Sequence, residues 1–371
     1  MHQLAFIVWD PIPELPYIAE WLNWPVRWYG LMFVLGFLVS QQIMFYFFNK
    51  DGRPVKDVET LTVYMIFATI IGARLGHMFF YDFDRVLEEP LSIFYIHQGG
   101  LASHGGAIGI LFALWLYARS RKDQSYFWIL DRIVIVVALV GALIRFGNFV
   151  NSEILGKPTG TDSGVVFAHV AEQTVYGIDP NQEAFETVEA RKATSEEAAG
   201  LDGQVVMLDI VFLPQLKDRN SIERILQNNI KAALTYPGVE EQVYLPDGKI
   251  NYTLASEGGQ FKASIPMMGV PRHPAQLYES FYCILIFLFL FWLWKTKRHR
   301  LPEGHIFALF LIILFSLRFV DEFFKENQEA FEDSLALNMG QILSIPLVLA
   351  GIAILIFIHR KKDNKPREVE A

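Results

Sequence analysis

Cysteine is nearly absent: Cys283 is the single one in 371 residues, which excludes an intramolecular disulfide and any cysteine-built metal cluster. It lies in an apolar run, where packing is the ordinary role of a free thiol. Basic residues are missing from the opening stretch, which Pro11, Pro13 and Pro16 also interrupt, so no cleavable signal peptide is expected. The dehydrogenase, P-loop and zinc-site signatures are all lacking, and with them any call for a metal or organic cofactor. No internal repeat or low-complexity tract occurs, and no inverted-repeat pattern of the kind that marks many transporters. No nucleic-acid partner is expected.

What the chain has in abundance is apolar surface. Hydrophobic residues make up 52% of it and aromatics 14%, with 31 phenylalanines, a composition suited to a lipid-embedded protein. The net charge of -8 says little, because the charges cluster between apolar blocks. A spanning helix needs about 20 apolar residues. Seven runs approach that length, at 28–48, 61–80, 101–118, 133–150, 277–294, 306–320 and 340–358. The fold class expected is therefore an all-α polytopic membrane protein with about seven transmembrane helices.

Orientation follows from the basic residues between the runs. Lys50, Arg53 and Lys56 follow the first, Arg119, Arg121 and Lys122 the third, Lys295, Lys297, Arg298 and Arg300 the fifth, and Arg360, Lys361, Lys362, Lys365 and Arg367 the seventh. These alternate positions are expected in the cytoplasm. That leaves an outward N-terminal segment, 1–27, where Trp9, Tyr17, Trp21 and Trp24 suit a membrane surface. Helices one to four then occupy 28–150, an outward head 151–270, helices five to seven 271–358, and a basic cytoplasmic tail 359–371. The head is polar, acid-rich and broken by Asp-Gly and Gly-Gly turns; alternating pieces at 205–212 and 243–245 read as strand, and 189–199 as a short solvated helix. An inserted α+β head is the expectation.

Ionisable groups inside spanning helices cost a few kcal/mol each and call for a partner or a purpose. Arg74 and His77 come late in the second run, and His104 opens the third. Arg145, Asn148, Asn151 and Glu153 close the fourth, Arg272 and Glu279 begin the fifth, and Arg318 and Glu322 close the sixth. In the topology above, all lie toward the outer leaflet. Bland roles exist: His104 as an interfacial hydrogen-bonding residue, Arg74 snorkelling to headgroups, Arg318 and Glu322 as an i, i+4 pair. Gly72-x-x-x-Gly76 and Gly105-x-x-x-Gly109 read as helix-packing faces. Arg145 is harder to dismiss, because the apolar run around it holds no acid to neutralise it. A planar guanidinium in that setting suits a phosphate. The residues alone thus point to an outward-opening polar cavity for an anionic phospholipid headgroup, beside an aqueous head suited to a protein substrate.

The stretch Ile144-Arg145-Phe146-Gly147-Asn148-Phe149-Val150-Asn151-Ser152-Glu153-Ile154-Leu155-Gly156 resembles the signature of the prolipoprotein diacylglyceryl transferases. Other blocks agree in order: Arg27-Trp28-Tyr29-Gly30, Gly72-Ala73-Arg74-Leu75-Gly76, Ser103-His104-Gly105-Gly106, Arg272-His273-Pro274-Ala275-Gln276-Leu277-Tyr278-Glu279, Arg318-Phe319-Val320-Asp321-Glu322 and Met339-Gly340-Gln341. The chain departs from the family pattern in a long, unalignable head at 157–265. Leu314 stands where the family usually has tyrosine, and Lys325 where it has a later arginine.

The resemblance implies an enzyme of the bacterial cytoplasmic membrane. It would move sn-1,2-diacylglyceryl from phosphatidylglycerol to the lipobox cysteine of a pre-lipoprotein signal peptide, forming a thioether and releasing glycerol-1-phosphate. By the same resemblance His104, Arg145 and Arg318 would be catalytic, His104 as base for the thiol and the arginines on the phosphate. Tyr29, Asn148, Asn151 and Glu153 would orient headgroup and arginines, and Arg272, Gln276 and Tyr278 would wall the cavity. Arg74, Gly156 and Glu322 complete the substrate-binding set, with no metal ligand. The alternative class is a transporter or flippase for an anionic lipid or solute, using the same arginines at a translocation site; a scaffold whose polar residues only glue helices is the third.

Overall fold

The computed structural model describes residues 6–9, 28–95, 100–327, 332 and 334–363. The expected N-terminal segment from 10 to 27 and the tail from 364 lie outside the described residues.

A helix occurs at each of the seven apolar runs: α1 Trp28–Lys50, α2 Lys56–Phe80, α3 Ser103–Arg119, α4 Tyr126–Val150, α5 Ala275–Lys297, α6 His305–Asp321 and α7 Met339–Asp363. Five of them (α1, α2, α4, α5, and α7 up to Arg360) are long and apolar enough to cross a membrane. The chain is therefore a polytopic, multi-pass membrane protein with sheet as well as helix. The other two, α3 and α6, have 17 residues each, about 25 Å at 1.5 Å per residue against a hydrocarbon core of roughly 30 Å.

The chain divides into two compact units. One comprises Met32–Ile144, Glu279–Val320 and Leu337–Ala371. Its core is aromatic and aliphatic, with Phe47, Phe48, Tyr117, Ile129, Leu290 and Trp294 buried together. Val34, Leu38, Phe67, Ile108, Phe281 and Leu349 stay exposed, an apolar exterior that suits lipid and would be a liability in water. Helices α2 and α3 meet through their small residues. A Cβ on Gly72 would lie 2.6 Å from the Gly105 carbonyl oxygen, and one on Gly76 2.6 Å from Gly105 Cα. The glycine spacings expected to pack helices do so here.

The other unit comprises Met1–Leu31, Arg145–Tyr278 and Asp321–Ala336. Two strands, β1 Phe6–Trp9 and β2 Gly164–Phe167, pair in parallel. The remaining five, β3 Phe185–Lys192, β4 Val205–Phe212, β5 Val243–Tyr244, β6 Thr253–Glu257 and β7 Gln260–Gly269, form an antiparallel sheet in the order β3-β4-β7-β5, with β6 also on β7. Its core includes Val188, Leu208, Ile210, Phe212, Ile265 and Met267, with Ile222, Leu226 and Ile230 from a helical segment. The strands expected at 205–212 and 243–245 are present as β4 and β5. The helix expected at 189–199 is not: 189–192 belongs to β3, paired from Glu189↔Asp209 to Lys192↔Val206. Val188 and Ala190 are buried while Glu189 is exposed. Pairing with β4 overrides the helical preference of Glu, Ala, Arg and Lys.

Arg191 crosses from β3 to hold Glu197, at 2.7 Å and 2.8 Å, and Asp209, at 2.9 Å. Hydrogen bonds from Arg191, then from the Thr194 backbone N–H, hold the Glu197 carboxyl at about 2 against an ordinary 4.5. A depressed carboxyl stabilises the fold fully above about 4.5 and loses that contribution as pH falls through about 2. The pair is partly exposed, so the effect is small. Hydrogen exchange, corrected for its intrinsic pH dependence, is expected to show β3 losing protection across that window. Glu197→Gln should remove this component.

Candidate functional site

In the sheet-bearing unit, the end of α4 and the loop after it are tied into one polar group. Arg145 Nη1 donates to Asn148 Oδ1 at 3.3 Å, and Asn148 Nδ2 donates to Glu153 Oε2 at 2.9 Å. Asn151 Nδ2 donates to Glu153 Oε1 at 3.3 Å, and Gln276 Nε2 to the Glu153 carbonyl at 2.6 Å. Tyr29 lies within electrostatic range of both Arg145 and Glu153. The Arg145–Asn148 contact follows from helical spacing, since residues three apart share a face. Glu153 reaches back because the chain reverses at Ser152 (φ 56°) and Ile154 (φ 55°), a left-handed conformation that side chains other than glycine adopt at a cost. Asn148 is buried and Arg145 half-buried. The carboxylate thus braces the amide that braces the guanidinium, which fixes Arg145 while leaving part of it accessible.

Below this group the loop is pinned by backbone. Gly156 bridges to Lys325 and Pro158 to Arg272, and a Cβ at Gly156 would run into the His273 carbonyl. Arg272 is 3% exposed and donates to Gly156 O at 2.9 Å, Glu241 O at 2.9 Å and Glu326 Oε1 at 2.7 Å. Expected on a cavity wall, Arg272 is found clamping three chain segments. Gln276 is fully buried, whereas Tyr278 is exposed, its hydroxyl 3.2 Å from His273 Nδ1. Glu322 is engaged with Lys325, whose Nζ sits 3.2 Å from Glu322 Oε1 and 3.1 Å from Asp321 Oδ2. Lys325 itself is 2% exposed. Sequence reasoning saw only its exchange for arginine; the two acids three and four residues earlier were the available signal for its burial.

Arg74, His104 and Arg318 belong to the helical unit. Arg74 is 4% exposed and donates to Ile93 O at 3.0 Å, Ser92 O at 2.6 Å and Gly100 O at 3.3 Å. It does not snorkel; the carbonyls of Ser92, Ile93 and Gly100 have taken the place of headgroups. Arg74→Ala would strand the buried Ser92 acceptor, at about 1–3 kcal/mol, and loosen the part-buried Ile93 and Gly100 carbonyls. Protease cleavage and hydrogen exchange within 90–95 are expected to rise in that variant well before any lipid affinity changes. His104 packs its ring against Phe80 (5.1 Å) and Tyr81 (5.7 Å). Arg318 faces the buried Glu279 across 4.0 Å, a partner on another helix that the i, i+4 pairing with Glu322 did not anticipate.

The comparison that decides the family is the extent of the match. The profile described as "Prolipoprotein diacylglyceryl transferase" covers residues 16–357, so all the groups above fall within it. The chain belongs to the prolipoprotein diacylglyceryl transferase family. Among curated relatives, a protein of Tolumonas auensis is 31% identical over 337 residues, covering 91% of this chain and 93% of its own. Others from Chloroherpeton thalassium (32%, 96% of each chain) and Porphyromonas gingivalis (32%, 95% and 94%) match over still more of it. Each carries the name phosphatidylglycerol--prolipoprotein diacylglyceryl transferase.

Proposed function

We propose that this protein transfers the sn-1,2-diacylglyceryl group of phosphatidylglycerol to the lipobox cysteine thiol of a pre-lipoprotein. The carbon-sulfur bond of a thioether forms as the carbon-oxygen bond to phosphate breaks, the thiol proton passes to a base, and glycerol-1-phosphate leaves. The observation that carries the reading is the Arg145–Asn148–Glu153 relay inside a chain of this family. A guanidinium held from behind meets a lipid phosphate with little reorganisation and offsets the charge gathering on the departing oxygen. Tyr29, Asn151 and Gln276 surround that relay and keep it in place.

Motif position supports His104 as base and Arg318 as a second phosphate-binding arginine. A thiol gains from a base placed to take its proton as the new bond forms. Arg74, Gly156, Arg272 and Glu322 serve by shaping the chain around the substrate, and Tyr278 by offering an exposed hydroxyl. The reading includes seven membrane crossings in the bacterial inner membrane, with N-terminus and head periplasmic and the C-terminus cytoplasmic; alternate basic loops support it. A flippase would use the same arginines, but the family membership favours the transferase.

The test is to incubate purified protein with phosphatidylglycerol and a lipobox peptide. The peptide is expected to gain one diacylglyceryl mass, and a Cys→Ser peptide to gain none. Lipid movement between leaflets without peptide modification would overturn the assignment in favour of the flippase.

A further inference from the structure

A second concentration of arginine lies in the helical unit and shares no residue with the Arg145 group. It surrounds a cavity of ≈ 270 Å³ where Asp51 and Arg53 follow α1, Trp128 and Arg132 begin α4, and Trp294 and Arg298 end α5. Both Arg132 Nε (2.9 Å) and Nη2 (2.6 Å) reach Asp51 Oδ2, and Arg298 Nε lies 3.1 Å from Asp51 Oδ1. One carboxylate therefore faces two guanidinium groups. Arg53 adds a third, and its acid partner Asp123 is 4.0 Å away with a side chain 82% exposed, a pairing worth little. The remaining acids on the cavity are occupied. Asp131 accepts from the Gly304 and Phe307 backbone N–H groups, each at 2.8 Å, at the start of α6, and Glu303 accepts from Ser125.

Stacking holds the three cations in place. The Arg132 guanidinium sits 4.2 Å over the Trp128 ring, Arg53 5.4 Å over the same ring, and Arg298 4.7 Å over Trp294. A guanidinium stacked on an indole presents its N–H groups in the plane of the fork, the geometry that receives oxyanions. The indole N–H of Trp294, a residue 0% exposed, has no hydrogen-bond partner among the described residues, nor has Arg53 Nε. Buried donors in that state are able to receive an acceptor that enters the cavity. Three guanidinium groups converging on one hollow, N–H donors with no partner among the described residues and a volume below the roughly 300–1,000 Å³ of drug-sized pockets fit one chemistry.

We propose that this cavity binds a phosphate group, either a free phosphate or phosphomonoester or the headgroup of an anionic phospholipid. Lys50, Lys295, Lys297 and Arg300 flank the same helix ends and would draw either anion toward it.

The experiment uses the full chain in neutral detergent, alongside Arg145→Ala so that the proposed catalytic arginine adds nothing. Sodium phosphate is titrated against sodium chloride at equal ionic strength, and mixed micelles of phosphatidylglycerol against micelles of diacylglycerol. Tryptophan emission and the unfolding midpoint are read. A saturable response to phosphate but not chloride identifies the aqueous source; one confined to phosphatidylglycerol identifies the headgroup. Either response is expected to persist in Arg145→Ala, and to weaken about tenfold or more in Arg298→Gln and in Trp294→Phe, which keeps the ring and removes the N–H. If Arg298→Gln does not fold, Trp294→Phe decides. Probes that match their controls, or a response that both substitutions leave unchanged, would overturn the proposal and leave the cluster a structural knot.

Discussion

Arg145→Ala is expected to lower transfer from phosphatidylglycerol to a lipobox peptide by about 10²–10³-fold, the usual loss when one donor to a developing oxyanion is removed. The protein should still insert and elute as wild type, because the residues that brace Arg145 keep bonds of their own: Asn148 with Glu153, and Glu153 with Asn151 and Gln276. Arg145→Lys should recover only part of the rate, since an ammonium keeps the charge but not the two-pronged fork. The loss should appear both as a raised KM and as a lowered kcat, because the contact binds the phosphate and strengthens as the leaving group departs. Asn148→Ala should be milder: it loosens Arg145 without deleting it.

The second large effect is on stability. In Gly105→Val the new side chain would be driven into the backbone of Gly72 and Gly76, on α2. Neither obstacle can move aside by changing rotamer, so α2 and α3 must separate. Overpacking of this kind costs about 1–3 kcal/mol and often more, and the small-residue contact that lets these two helices approach is lost with it. A sharp fall in yield and in the unfolding midpoint is expected. Gly141→Ala is the control, because there the added carbon meets Cys283 Sγ at an ordinary 3.6 Å. Equal stability of the two variants would show that the glycine contact is not what joins the helices.

The apolar runs announced all seven helices because hydropathy is a property of the segment itself and needs no partner to be read. Val205–Phe212 was legible for the same reason: eight residues, mostly apolar and β-branched, flanked by turns. Phe185–Lys192 was not, since its composition is helical and only β4 beside it makes it a strand. The Arg145 motif stood out because arginine in an apolar run is anomalous wherever it falls. The fate of Arg74 and Arg272 was hidden, because it depends on carbonyls delivered by distant chain: Gly156 is 116 residues from Arg272. The Asp51–Arg132 pair, 81 residues apart, escaped notice in the same way, each member reading as an ordinary loop or helix-end charge. Long-range pairing of charges leaves no periodic trace, whereas burial along one helix does.

The central claim is that Arg145 meets the phosphate of the lipid donor. Its most direct test is to count phosphatidylglycerol retained by the full-length protein from a neutral-lipid background, using native mass spectrometry, with Arg298→Gln present in every sample so that the second cavity does not contribute. Adding Arg145→Ala is predicted to reduce occupancy at least about tenfold, as befits the loss of a charged hydrogen-bonding group. Undiminished occupancy in that variant would contradict the account.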